Sequence, residues 1–143
     1  MKKNDSSEIP FIKFHKVLSL LFNPSEVIFI LHMLDVESLK KHGHKIEWTR
    51  NFYMARMGMT SYTFDRCIET LMAIGLLTKT NNIEGNRVYY SLDMDLYDRL
   101  IHILSANKNV YIMIDFCMKN FKTDSRRIDS ITDEELLELS KQS

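Results

Sequence analysis

The sequence of 143 residues predicts a mainly helical domain carrying one β-hairpin, and three observations predict it. Four Gly and two Pro are few for this length, which favours long helices over the turn-rich connections of a sandwich or barrel. Apolar residues recur at three- and four-residue spacing along most of the chain, the mark of helices that bury one stripe. Residues 77–92 alone place two β-prone runs on either side of a polar loop.

Composition supports a single compact unit, with 45% hydrophobic and 27% charged residues and 19 basic against 19 acidic side chains. At this length about 70% of the unfolded chain's surface can be buried, so neither a metal nor a disulfide is required. Cys67 and Cys117 have no neighbour at zinc or redox spacing, which predicts free thiols and a reducing, cytoplasmic setting. No signal-peptide pattern opens the chain and no run approaches eighteen apolar residues, so no membrane span is expected. There is no P-loop, no Gly-x-Ser-x-Gly and no His-Glu-x-x-His, so neither catalysis nor a cofactor is expected. His42 and His44 bracket a glycine without a third ligand and read as a solvated loop.

The elements follow in order. Residues 1–8 are polar and expected to be disordered, residues 9–104 to form the main domain, and residues 105–143 a helical extension. Lys16 to Phe22 reads as a short helix, with Val17, Leu18 and Leu21 inward. Asn23-Pro24-Ser25-Glu26 is a helix start: a capping Asn, a proline at the first helical position, and a Glu placed to reach back to the cap. Val27, Ile30, Leu31 and Leu34 carry that helix to about Leu39, and Ile46-Glu47-Trp48 reads as a short edge strand.

Two further helices run from Thr49 to Met57 and from Thr60 to Ile74, separated by Gly58-Met59 and ended by Gly75-Leu76. Leu77–Thr80 and Arg87–Leu92 form the hairpin around a six-residue loop. Leu96 to Leu104 is a helix favoured by Asp93 and Asp95. Val110 to Phe121 is a strongly apolar segment whose Val110, Ile114, Cys117 and Phe121 fit a helix better than a strand, and Thr132-Asp133-Glu134-Glu135 is a capping box opening a terminal helix. The nine Met read as adaptable core filling.

From Tyr53 to Leu77 an apolar pair precedes a glycine turn, a Thr caps the next helix, and Gly75-Leu76-Leu77 leads into the hairpin. This segment resembles the bacterial winged helix-turn-helix DNA-binding superfamily, and Val110 to Phe121 with Leu96 to Leu104 resembles the added C-terminal helices through which MarR-like regulators pair. Phe11 to Phe14, the Asn23–Glu26 helix start and Trp48 also resemble the N-terminal domains of phage and plasmid replication proteins. The resemblance implies a three-helix core plus a β-hairpin wing, with extra C-terminal helices, and a protein that binds double-stranded DNA.

Helical spacing turns Phe64, Cys67, Ile68 and Leu71 inward and leaves Ser61, Tyr62, Asp65, Arg66 and Glu69 on the opposite face. The resemblance makes these the residues that enter the major groove, Arg66 as guanine or phosphate contact. It puts Arg50, Arg56, Lys79, Asn82 and Arg87 on a flanking basic face. The chain departs from the pattern in two ways: Met54 stands where a small Ala is usual, and Asp65 and Glu69 bring negative charge to a face meant for phosphates. Residues 1–92 hold twelve basic against nine acidic side chains, and the remainder seven against ten. Leu96–Leu104 and Val110–Phe121 are the expected homodimer surfaces, and the acidic C-terminal half could dock a protein partner instead.

Overall fold

Asn23 takes an extended backbone immediately before Pro24, and this ends one helical segment and starts the next. The computed structural model describes residues 16–82 and 87–143, with the backbone alone at 81, 82 and 87. Among the described residues, α-helical geometry at the start covers 16–18 and gives way to three-residue turns through Leu21, short of the helix expected to Phe22. Leu18, Leu21 and Phe22 are buried all the same.

Helix α1 (Pro24–Lys41) carries the full capping box, with Asn23 Oδ1 accepting from Glu26 N at 2.8 Å and Asn23 N donating to Glu26 Oε1 at 3.0 Å. Helix α2 (Arg50–Met57) is capped by Thr49, and helix α3 (Ser61–Ala73) by Thr60. Both end on a left-handed glycine. Gly58 (φ 67°) donates to Ala55 O and Met59 to Met54 O; Gly75 (φ 89°) donates to Met72 O and Leu76 to Leu71 O. Each pair of bonds satisfies carbonyls the helix itself leaves open, and only glycine takes that φ without strain.

Strands β1 (Leu77–Asn82) and β2 (Arg87–Leu92) pair antiparallel, Leu77 with Leu92 and Asn82 with Arg87. The strand thus runs two residues further than the sequence reading, and the expected loop is shortened to positions 83–86, which lie outside the described residues. Ile46-Glu47-Trp48 forms no strand. The edge of β2 it would have joined is already occupied: Glu37 Oε2 accepts from Leu92 N at 3.1 Å, and Lys40 Nζ donates to Tyr90 O at 3.1 Å.

Helix α4 (Met94–Leu104) starts on the Asp93 cap and buries Tyr97, Leu100, Ile103 and Leu104. Helix α5 (Val110–Cys117) is capped by Asn109 and widens into a π-helical turn over Met118–Thr123. There the Asn120 amide donates to Phe116 O at 2.9 Å, a side chain competing for a ladder carbonyl. The inward stripe is Met113, Cys117, Asn120 and Phe121, and Val110 and Ile114 are exposed. Met113 and Cys117 are one turn apart and set the face, and Ile114 follows Met113 by a hundred degrees of rotation, which carries it outward. A 3₁₀ turn (Ile128–Ser130) then leads to helix α6 (Asp133–Ser140), which opens on the expected capping box.

The chain is therefore mainly helical with one small antiparallel hairpin. One hydrophobic cluster runs from Leu18 through the hairpin to Leu139, so the C-terminal helices share the core of α1–α3. Among the described residues no helix is long and apolar enough to cross a membrane.

Candidate nucleic-acid interface

Helix α3 is divided along its length. Phe64, Cys67, Ile68 and Leu71 are buried, and Ser61, Tyr62, Asp65, Arg66 and Glu69 are exposed, as the spacing predicts. The buried side is anchored by a run of aromatic rings crossing four parts of the chain. Trp48 stacks edge-on with Tyr53 (5.4 Å), Tyr53 with Tyr90 (5.2 Å), Tyr90 with Phe64 (5.8 Å), and Phe64 against Phe29 (5.4 Å). Each such contact contributes on the order of 1 kcal/mol beyond its burial. They fix α3 against α1, α2 and β2, so its outer face is presented by a rigid support.

Burial drives the Tyr53 phenol up to about 12 and the Cys67 thiol up to about 11, the latter helped by the nearby Glu26 carboxylate. Cys67 is thus an uncharged core group with little nucleophilic character. Cys117 is pushed further, to about 12, again by burial.

The cations of this region are engaged with neighbours. Arg50 Nη2 donates to Asp65 Oδ1 at 2.7 Å and to Ser61 Oγ at 2.8 Å, and its guanidinium lies 5.5 Å from the Phe64 ring centre. Arg56 lies over Trp48 at 4.7 Å and over Phe52 at 5.9 Å, which leaves its charge outward on an aromatic base. Arg66 stacks on Tyr62 at 5.8 Å, one helical turn away, and both line a shallow cleft with Asn23 and Ser25 at the start of α1. Tyr62 is 71% exposed. Lys79 is exposed on β1. Asn82 and Arg87 face each other across the hairpin by backbone register, and their side chains lie outside the described residues.

Arg50, Ser61, Asp65, Tyr62 and Arg66 are thus brought together at the first turns of α3. The Arg50–Asp65 pairing spans fifteen positions and no sequence period signals it. The platform of Trp48 and Phe52 beneath Arg56, by contrast, follows four-residue helical spacing and is local to α2 and its cap. Sequence reading also missed a groove of about 520 Å³ between α5 and α6, lined by Ile112, Phe116 and Leu139 together with Asp115, Lys119, Glu134 and Glu138. Among the described residues no group of three or more His, Cys, Asp or Glu is placed to hold a metal ion.

No family model matches this chain, and no curated protein or solved structure matches it either.

Proposed function

We propose that the protein binds double-stranded DNA as a regulator of the winged helix-turn-helix type, with α3 in the major groove and the hairpin as the wing. The observation that carries this reading is the division of α3. Its outer face offers Ser61, Tyr62, Asp65, Arg66 and Glu69 to a partner while its inner face is locked into the aromatic run. A recognition helix reads bases with side chains near its N-terminus, where these residues begin. Arg66 supplies the fork that matches guanine O6 and N7, or a phosphate. Arg56 and Lys79 are the flanking phosphate contacts, and the exposed Val110, Tyr111, Ile114 and Met118 of α5 are the surface for pairing two copies.

Fluorescence anisotropy with a labelled mixed-sequence duplex tests the reading. Micromolar binding at low salt is expected, weakening as salt rises, and weakening about fivefold more in Arg66→Ala. Absence of binding at tens of micromolar overturns it. A second reading, a protein-assembly module, is favoured by the α5–α6 groove, whose lining joins apolar Ile112, Phe116 and Leu139 to Asp115, Glu134 and Glu138 against the single cation Lys119, a net acidic surface that suits a basic partner.

A further inference from the structure

Resting on the DNA-binding reading, we propose that Asp65 is an internal stand-in for a DNA phosphate, holding Arg50 in reserve until a phosphate displaces it. The pair then sets the balance between general affinity and sequence discrimination.

Arg50 is the first residue of α2, and its side chain crosses to the first turns of α3. There it makes one short bond to Asp65 Oδ1 (2.7 Å), a bond to Ser61 Oγ (2.8 Å), and a weak contact with Met54 Sδ (3.2 Å). A guanidinium fork fits two oxygens of one carboxylate or one phosphate, and here Asp65 fills only half of it. The two side chains are 35% and 55% exposed, so an incoming phosphate reaches them from solvent. Exposed ion pairs of this kind contribute about 1 kcal/mol or less, which makes the exchange cheap.

The exchange has a second consequence. Once Arg50 turns to a phosphate, the Asp65 carboxylate is left at the base edges, where it can accept from the amino group of cytosine. At a site without that donor it remains unpaired beside a polyanion and weakens binding. Glu69, one turn further along the same face, makes no ion pair among the described residues. Neutralising it therefore changes the charge of the face without releasing an arginine.

Anisotropy titrations over a range of salt on wild type, Asp65→Asn, Glu69→Gln, Arg50→Ala and the Arg50→Ala/Asp65→Asn double variant test this, with circular dichroism confirming the fold of each. Asp65→Asn is expected to bind mixed-sequence duplex about fivefold tighter, because Arg50 no longer has to leave a carboxylate to reach a phosphate. Arg50→Ala is expected to cost far more in the Asp65→Asn background than in wild type. The proposal is overturned if Asp65→Asn merely matches Glu69→Gln, or if Arg50→Ala costs the same in both backgrounds, while wild-type binding leaves the DNA-binding reading standing. If no variant binds, that reading fails and the proposal with it.

Discussion

Arg50 with Asp65 and Arg126 with Glu135 are the same chemical pair in two settings. Arg50 meets its carboxylate through one bond of 2.7 Å on an open face. Arg126 meets Glu135 through two, at 2.6 and 2.9 Å, and also donates to Asn120 Oδ1 (2.8 Å), Ser130 O (2.7 Å) and Ser130 Oγ (3.2 Å). Glu135 meanwhile accepts from Thr132 N at 2.8 Å as the returning half of a capping box. The Arg126 hydrogen bonds, and after them the Thr132 amide, hold the Glu135 carboxyl down at about 2. The lesson concerns valence more than charge: a pair whose every donor is used becomes a structural joint, and one whose carboxylate takes a single donor on an open face is available for exchange.

The largest effect is expected where the joint is removed. Arg126→Ala strips donors from Glu135, from the buried Asn120 and from the 3₁₀ turn that leads into α6. A loss of about 2 kcal/mol in urea unfolding is expected, since groups left unpaired cost more than the bonds contributed. A loss below about 0.5 kcal/mol would place this pair in the same class as the exposed one.

Acid should loosen the same joint. The Glu135 carboxyl titrates lower in the folded chain than its ordinary 4.5, so its stabilisation is complete above about pH 4.5 and is lost as pH falls from there toward 2. Allowing for screening at a carboxylate about a third exposed, the loss is on the order of 1 to 2 kcal/mol. Glu135→Gln should be less stable than wild type at pH 7 and should flatten the dependence of stability on pH across that window. An unchanged slope in the variant would assign the acid sensitivity to other carboxylates.

These two pairs also mark where the sequence stops being readable. Both capping boxes, the Thr60 cap and the glycine turns at Gly58 and Gly75 were legible because each is a local device, complete within a few residues. The outer face of α3 was legible for the same reason, as one period of one helix. What was not legible depends on partners distant in sequence. Ile46-Glu47-Trp48 has strand-like residues, but Glu37 and Lys40 had already taken the edge of β2. The register of α5 turned on Asn120, whose bond to Phe116 O widens the helix and whose other bond goes to Arg126. Arg50 and Asp65 were each legible as members of the binding face, and their mutual engagement was not.

A smaller effect separates backbone devices from ion pairs on the α2–α3 face. Gly58 sits at φ 67° with open space where a Cβ would project, so Gly58→Ala meets only backbone strain. About 1 kcal/mol of stability should be lost by thermal or urea denaturation. A Cβ at Gly75 would also crowd the Arg127 guanidinium (2.6 Å), but that side chain is exposed and can turn aside, so Gly75→Ala should cost about the same. A much larger loss at Gly75 would mean that Arg127 is held in place as firmly as Arg126.

The smallest expected change in stability is the one that would separate the two pairs most sharply. Asp65→Asn keeps the size of the side chain, leaves Ser61 Oγ and the Phe64 ring as partners for Arg50, and removes a single exposed ionic bond. The stability difference should stay below about 0.5 kcal/mol in urea unfolding at moderate salt, and a double-mutant cycle with Arg50→Ala should give a coupling of similar size. A coupling above about 1.5 kcal/mol would mean that the pair is a joint like Arg126–Glu135. The cost of opening it would then exceed what one phosphate returns, and Arg50 would hold α2 to α3 instead of waiting for a ligand. With a weak coupling, the Arg50 guanidinium is a cation that the fold positions at the start of α3 and leaves free to change partners.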